Sequence, residues 1–260
     1  MRDVVVGTHN SRAARTGGAA VPDATAQTVA SADIADASWA NRGFAQRAVR
    51  WLATRQGVRQ FLDIGSYRPD RRNTHEALTG VVAGSTVVYT HCDRQVIEHG
   101  CRSLARTPGT ALVPVNLHYP EEILRHPVTR RVFDLHQPVA VLMVAVTPLV
   151  ADAEDPWRLV ERYLEPLAAG SWLVLSDLTS DHQADRLTTA VGQLYGQRFT
   201  QVTFRTRAAV ERYFHRLQIV PPYEGADPVV THVGLWGAED PELADSDGSR
   251  WFYAAVARKH

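Results

Sequence analysis

The sequence has few cysteines, no net charge and no long apolar run, and each shortage excludes a class of protein. Cys92 and Cys101 are the only cysteines and lie in neither a CxxC nor a Cys/His ligand spacing, so we expect no disulfide framework and no metal site. Lys plus Arg and Asp plus Glu each number 28, so no overall field attracts nucleic acid or an anionic membrane. No apolar stretch approaches the roughly 20 residues of a membrane helix, and the N-terminus lacks a signal-peptide core. We therefore expect a cytoplasmic protein that binds a small molecule, and neither nucleic acid nor membrane.

Large apolar side chains are also scarce near the N-terminus. The small and polar residues 7–37 predict a loosely ordered arm or lid over residues 1–37, with one short helix near Asp23–Ala35. From Trp39 a helical period begins, and Trp39 and Trp51 are expected on its buried face. Residues 38–260 are predicted to form one α/β domain, because 260 residues that are 45% hydrophobic can enclose one sizeable core.

Apolar runs then alternate with helical segments. Runs that are apolar on both faces predict strands buried between helices, and their alternation with helices predicts a mostly parallel sheet. The predicted strands are Gln60–Ile64, Thr86–Thr90, Thr110–Val115, Pro138–Val146 and Ser171–Leu175. The predicted helices are Arg71–Val82, Asp93–Ala105, Tyr119–Val132, Pro156–Leu167 and Asp181–Gln197.

The end of the chain has a different pattern. A helix at Arg207–Leu217 and a strand at Gln218–Val220 precede a glycine-rich, acidic segment that we expect to be exposed. No crossover helix fits in that segment, so the final strand at Trp251–Ala257 is predicted to run antiparallel to its neighbour. His232, within the segment, is a candidate substrate-side residue, although a loop histidine is more commonly a surface residue.

A second glycine is missing where a nucleotide-binding turn needs one. The apolar strand Gln60–Ile64 ends at Gly65, the usual start of such a turn. Residues 66–72 then read Ser-Tyr-Arg-Pro-Asp-Arg-Arg, with side chains where the backbone normally approaches a ligand.

Seven segments of the sequence carry a resemblance to a known family. They are Ala40–Phe44, Gln60–Gly65, Asn73–Glu76, Val87–Tyr89 with Asp93, Pro120–Leu124, Pro138–Val146 and Gly170–Ser176. Together they resemble an actinobacterial family of S-adenosylmethionine (SAM) dependent methyltransferases, also known as a domain of unknown function. The resemblance is closest over residues 39–180 and looser to the C-terminus.

The resemblance implies a class I methyltransferase fold, with a mostly parallel, Rossmann-like seven-stranded sheet and an antiparallel last strand. It also implies O- or N-methylation of a small molecule in bacterial specialised metabolism, such as antibiotic biosynthesis. The cofactor implied is SAM. The departures from the family pattern leave two alternatives open. The first is a SAM-independent enzyme that uses the family's SAM pocket for a cyclisation or elimination. The second is a non-catalytic subunit that stabilises a partner enzyme.

The family pattern also assigns a cofactor site to residues at successive strand ends. The second glycine of the turn corresponds to Tyr67, the ribose-binding acid to His91, with Asp93 two residues later, and the adenine-binding acid to Asn116. An acid-to-amide change is mild, because an amide oxygen still accepts a hydrogen bond. The cofactor-binding residues implied are Asp63, Gly65, Tyr67, His91, Asp93, Asn116 and Val146.

Three residues are candidates for acid–base catalysis. His75 starts the first crossover helix, and Asp177 and His182 follow the fifth predicted strand, so all three are predicted at the carboxyl edge of the sheet. The alternative is structural, since Asn73 is placed to cap that helix and a solvated His75–Glu76 pair would suffice. No metal is predicted, because the fourth strand does not end in an acid.

Three arginines suggest a further ligand class. Arg68, Arg71 and Arg72 at a strand-to-helix turn favour an anionic small molecule, unless they pair with Asp70 and Glu76 or face solvent. Apolar residues near the last strand, such as Trp236 and Trp251, suit either an acceptor pocket or a homodimer or partner-protein contact.

Overall fold

The described chain forms one sheet with helices on both faces. The computed structural model describes residues 24–65, 73–181 and 202–260, with side chains from residue 35 onward. The strands are β1 (Gln60–Ile64), β2 (Thr86–Thr90), β3 (Thr110–Val113), β4 (Val139–Val144), β5 (Trp172–Leu178), β6 (Leu217–Ile219), β7 (Thr231–His232) and β8 (Phe252–Lys259). The helices are α1 (Ala24–Arg55), α2 (Thr74–Leu78), α3 (Arg94–Leu104), α4 (Pro120–Arg125), α5 (Pro127–Val132), α6 (Pro156–Leu164), α7 (Arg207–Glu211) and α8 (Pro241–Ala244).

The strand order is β3-β2-β1-β4-β5-β8-β6, and β7 also pairs with β8. β1 to β5 pair in parallel, whereas β8 is antiparallel to β5, β6 and β7. The predicted α/β methyltransferase-like sheet with an antiparallel last strand is therefore confirmed. It has eight strands among the described residues, not the predicted seven, because the two-residue β7 adds to the edge of β8.

Alternate residues of β1 enter different cores. Phe61 packs with Phe44 and Leu52 of α1 on one face, and Leu62 packs with Tyr163 of α6 on the other. All five side chains are fully buried. Each such burial contributes roughly 1.5–3 kcal/mol, which explains why a strand that is apolar on both faces forms at this position.

Helix α1 is longer than the sequence pattern indicated. It runs without a break from Ala24 to Arg55, across the predicted boundary between the arm (residues 1–37) and the domain (residues 38–260). Residues 24–37 thus extend the entry helix, and residues 1–23 lie outside the described chain. The helix ends where the amides of Gln56 and Val58 both donate to Leu52 O, with Gly57 at φ +71°. None of the helices in the described ranges is long and apolar enough to span a bilayer.

The segment between β6 and β8 is partly buried, so the expectation that it is exposed is wrong. Val233 and Trp236 pack into the core on the α1 face. The Arg47 guanidinium of α1 donates to the carbonyls of both residues at 2.7 Å. A Cβ on Gly234 would overlap the carbonyl oxygen of Ala244, so only glycine allows this approach.

Candidate functional site

The carboxyl ends of four parallel strands bring the predicted cofactor residues to one edge of the sheet. Gly65 follows β1, His91 follows β2, Asn116 lies beyond β3, and Val146 lies beyond β4. Ligands of open α/β sheets bind at this edge. Tyr67, Arg68, Arg71 and Arg72 lie outside the described residues.

Gly65 and Val146 are in close contact across β1 and β4. Gly65 has φ +68°, and its amide donates to Thr90 O at 2.9 Å. A Cβ on Gly65 would lie 3.1 Å from Val146 Cγ1. Both the backbone conformation and the spacing therefore favour glycine at the start of the turn.

Asp63 positions the first turn of α2. Its carboxylate is buried, and Oδ2 accepts a hydrogen bond of 2.6 Å from the Thr74 hydroxyl. Because Asp63 lies on β1 and Thr74 begins α2, this bond fixes the helix start beside the strand end. Asp63 therefore also fixes the position of His75.

His91 and Asp93 form a compact start to α3. His91 Nδ1 accepts from the Asp93 amide at 3.0 Å, so a neutral His91 ring carries its proton on Nε2. Asp93 caps α3, and its Oδ1 accepts from the amides of Gln95 and Val96 at 2.7 and 3.2 Å. Both cap bonds use Oδ1, which leaves Oδ2 outside the cap. Asp93 can therefore offer a carboxylate oxygen to a ribose diol.

Asn116 makes a local turn beyond β3. Its Oδ1 accepts from the His118 amide at 3.0 Å. The oxygen keeps a second lone pair, and the amide nitrogen has two protons to donate. Asn116 thus provides both polarities for an adenine edge.

His75 is tied to β2 through Tyr89. The Tyr89 hydroxyl is 2.9 Å from the His75 amide nitrogen and 2.8 Å from His75 Nδ1. Burial lowers the pKa of His75, and the neighbouring Glu76 opposes that shift. Since Nδ1 is engaged, Nε2 is the ring nitrogen that remains for a substrate. Glu76 belongs to the helix cap, where its carboxylate accepts from the Asn73 amide at 2.6 Å.

Asp177 lies inside β5 because that strand continues to Leu178, so the prediction that Asp177 follows the strand is wrong. Its carboxylate is fully buried, and its Oδ2 is 3.0 Å from Arg205 Nη1. Burial raises the pKa of the Asp177 carboxyl, while Arg205 and the hydroxyls of Tyr213 and Thr147 oppose the shift. Arg205 also donates to the carbonyls of Thr147 and Val150, which fixes the chain beyond β4.

Nothing in the sequence pattern singled out Arg205, because its partners are distant in the chain. His182, the third catalytic candidate, lies outside the described residues. Asp181, the described residue before it, accepts from the Arg207 amide at 3.0 Å, consistent with a structural role.

A second buried connection supports the end of β4. Ala145 has φ +57°, which is uncommon for a residue with a side chain. Its amide is 3.1 Å from both the carbonyl and the hydroxyl oxygen of Ser176. The Ser176 hydroxyl donates to Asn41 Oδ1 of α1 at 2.6 Å. Asn41 and Ser176 each belong to a segment that resembles the family, but nothing in the sequence pattern paired the two residues.

No group of three His, Cys, Asp or Glu side chains arranged to hold a metal ion occurs within residues 24–65, 73–181 and 202–260. Asp177, the acid nearest the end of β5, already pairs with Arg205. The described site therefore presents hydrogen-bonding groups and two imidazoles, those of His75 and His91, each held through Nδ1.

Comparison with known proteins places this arrangement in a family. The model of a family described as S-adenosyl methyltransferase matches residues 7–260. A DUF574 family protein from Streptomyces avermitilis MA-4680 is 35% identical, with a TM-score of 0.79 over 91% of this chain and 90% of that one. A methyltransferase-like protein from Thermobifida fusca YX is 30% identical, with a TM-score of 0.78 over 90% of this chain and 87% of that one.

A more distant structure shows the same fold. The plantazolicin methyltransferase BamL, solved with SAH, is 9% identical, with a TM-score of 0.52 over 91% of this chain and 90% of that one. Among curated proteins, none matches the chain. On the strength of the nearly full-length family match, the chain belongs to the S-adenosyl methyltransferase family.

Proposed function

We propose that the protein binds SAM and transfers its methyl group to an oxygen or nitrogen atom of a small molecule. The observation that supports this most is the series of polar groups at successive strand ends, in a chain of this family. Gly65, the His91–Asp93 pair and Asn116 follow β1, β2 and β3 in the order in which a nucleoside cofactor is normally held. The role in specialised metabolism rests on the family relationship alone.

The residues present fit SAM with altered contacts. A carboxylate at the His91 position would accept from both ribose hydroxyls, whereas the neutral His91 ring, protonated on Nε2, cannot accept there and leaves acceptance to Asp93 Oδ2. Asn116 would contact the adenine, and Gly65 lets the backbone approach the ligand. When bound, SAM supplies a methyl group that is already activated, so the protein mainly positions the two reactants.

His75 is the described side chain best placed to receive a proton from the acceptor. Its Nδ1 is fixed by Tyr89, and a lowered pKa keeps the ring neutral near pH 7. The buried Asp177–Arg205 pair instead stabilises the chain that follows β4 and β5. His75→Gln should therefore slow methyl transfer while leaving SAM affinity intact.

The test is a transfer assay with SAM labelled in its methyl group. The purified protein is incubated with a panel of phenols, alcohols and amines, and both labelled product and released SAH are measured. We expect SAH release that depends on an acceptor and is lost in Gly65→Val, with Gly57→Val as the control at another positive-φ glycine. Failure of both SAM binding and SAH release would contradict the proposal and favour a SAM-independent or non-catalytic role.

A further inference from the structure

His232 is held by Asp245 in one protonation form. His232 Nδ1 is 2.9 Å from Asp245 Oδ1, and Asp245 Oδ2 is 3.1 Å from Arg250 Nη2. Burial opposes ionisation of Asp245, but hydrogen bonds from Arg250 and His232 outweigh it and lower the pKa of the carboxyl. A carboxylate can only accept, so Nδ1 must donate. The neutral ring therefore has an unprotonated Nε2 with a free lone pair.

Two other histidines have the opposite arrangement. Nδ1 of His91 accepts from the Asp93 amide, and Nδ1 of His126 accepts from the Val128 amide at 3.2 Å. Their neutral rings therefore carry the proton on Nε2 and donate from it. His232 differs from both because its Nε2 is a hydrogen-bond acceptor and a base.

Within the described part of the chain, His232 Nε2 is buried and has no hydrogen-bond partner. The ring stacks on Tyr253, with centroids 5.1 Å apart and planes inclined by 17°, so it cannot easily turn away. A buried polar atom without a partner is costly, and such atoms in native proteins call for a ligand, a water molecule or a functional role. Only 17% of the side chain is exposed, so the site is enclosed but close to the surface.

The register places this ring at the ligand-binding edge of the sheet. His232 pairs with Tyr253 of β8, and Tyr253 pairs with Asp177, one residue before the end of β5. The strand order β4-β5-β8-β7 separates His232 from β4 by three strand spacings, or roughly 14 Å. That is too far for His232 to act on an atom beside β4, but it suits a contact with another part of the same ligand.

We propose that His232 Nε2 accepts a hydrogen bond from the methyl acceptor, at a group distant from the atom that is methylated. The ligand class is an elongated small molecule with a hydroxyl or amine donor at its far end. Asp245 is a positioning residue that fixes the polarity of this contact. The identity of the ligand as a methyl acceptor rests on the proposed function, but the polarity of His232 does not.

The first test is ¹⁵N NMR of the full-length protein labelled at histidine. We expect an unprotonated Nε2 in the wild type. In Asp245→Asn the amide can donate to Nδ1, and the proton should move to Nε2. A protonated Nε2 in the neutral wild-type ring would overturn the proposal.

The second test uses phenol and anisole, which differ in the O–H donor, titrated with SAH present. Phenol should shift the Nε2 resonance and bind roughly tenfold more tightly than anisole, the value of one good hydrogen bond. His232→Leu should abolish that preference, while His232→Gln, whose side-chain oxygen lies near the Nε2 position, should keep part of it. His215→Gln, at an exposed histidine before β6, is the control.

Equal binding of phenol and anisole, or no Nε2 shift with either at about 10 mM, would mean that no donor group of a ligand reaches this nitrogen and would overturn the proposal. Absence of SAM binding with an unprotonated Nε2 would count against the proposed function alone.

Discussion

Val146 Cγ1 lies 3.1 Å from the position that a Cβ on Gly65 would occupy. The two residues follow β1 and β4, the adjacent strands at the centre of the sheet. The contact sets how closely the turn after β1 approaches the chain after β4. A side chain at residue 65 would therefore push apart the turn after β1 and the chain after β4, at the edge of the sheet where the cofactor is expected to bind.

Gly65→Ala should lower the free energy of unfolding by about 1–2 kcal/mol, because φ is positive and the new Cβ would press on Val146. Gly57→Ala is the matched control, since Gly57 also has positive φ but no atom within 4 Å of the added Cβ. Urea denaturation of both variants measures the difference. Val146→Ala should rescue part of the Gly65→Ala loss, and equal losses in the two alanine variants with no rescue would contradict the contact.

Arg205→Leu should destabilise the protein by about 3–5 kcal/mol, because it leaves the buried Asp177 carboxylate without its counter-charge. Arg162→Leu, which breaks a more exposed pair with Glu121, should cost about 0–1 kcal/mol. Chemical denaturation measures both values. A loss in Arg205→Leu no greater than that in Arg162→Leu would contradict the buried pair.

The loss in Arg205→Leu should also depend on pH. Burial raises the folded pKa of Asp177 above its ordinary 3.8. The protonated form is therefore favoured in the folded state. The stabilisation that it contributes is fully present below 3.8, the ordinary pKa, and is lost as pH rises through the higher folded pKa. The Arg205→Leu loss should be smaller near about pH 4 than at about pH 7. A loss that is the same at both would show that Asp177 is not the group responsible.

His75 should titrate below its ordinary pKa of 6.5, because burial disfavours the charged ring. Its contribution to stability is present above 6.5, the pKa in the unfolded chain, and is lost as pH falls from there through the lower folded pKa, since the unfolded chain then binds more protons. NMR titration gives the pKa, and denaturation between about pH 5.5 and 8 gives the slope. His75→Gln should reduce the slope of the free energy of unfolding against pH more than His99→Gln, which changes an exposed histidine of α3. A measured pKa of His75 at or above 6.5 would contradict the buried environment of this ring.

His91→Asp should increase SAM affinity about 2- to 12-fold, the equivalent of one added hydrogen bond of roughly 0.5–1.5 kcal/mol. The aspartate would offer two acceptors to the ribose hydroxyls, where the histidine offers a donor. Calorimetry compares wild type, His91→Asp and His99→Asp, the last as a control for an added negative charge at an exposed position of α3. Unchanged or weaker binding in His91→Asp would mean that residue 91 does not face the ribose.

Much of the sheet is predictable from local pattern. β1 and β2 have the predicted bounds, Gln60–Ile64 and Thr86–Thr90, because their residues are apolar on both faces and are bounded by turn residues. The predicted helix Tyr119–Val132 is instead two helices, since Pro127 forces His126 into an extended conformation with ψ 135°.

Tertiary contacts are what the sequence did not reveal. Trp39, expected to be buried, is 62% exposed, while Trp236, expected in an exposed segment, is buried against α1. The backbone of that segment reaches α1 only because Gly234 fits under Ala244 and Arg47 binds its carbonyls. The sequence likewise does not predict the pairs Asp177–Arg205 and His232–Asp245, because the two partners of each pair do not belong to one recognisable motif.

The most direct test of the central claim is isothermal titration of the purified full-length protein with SAM and with SAH. Protein concentrations should allow detection of dissociation constants up to about 1 mM. We predict saturable binding of both ligands, weakened in Gly65→Ala and preserved in Gly57→Ala. Absence of heat and of thermal stabilisation with either ligand at saturating concentration would contradict SAM-dependent methyl transfer by this protein.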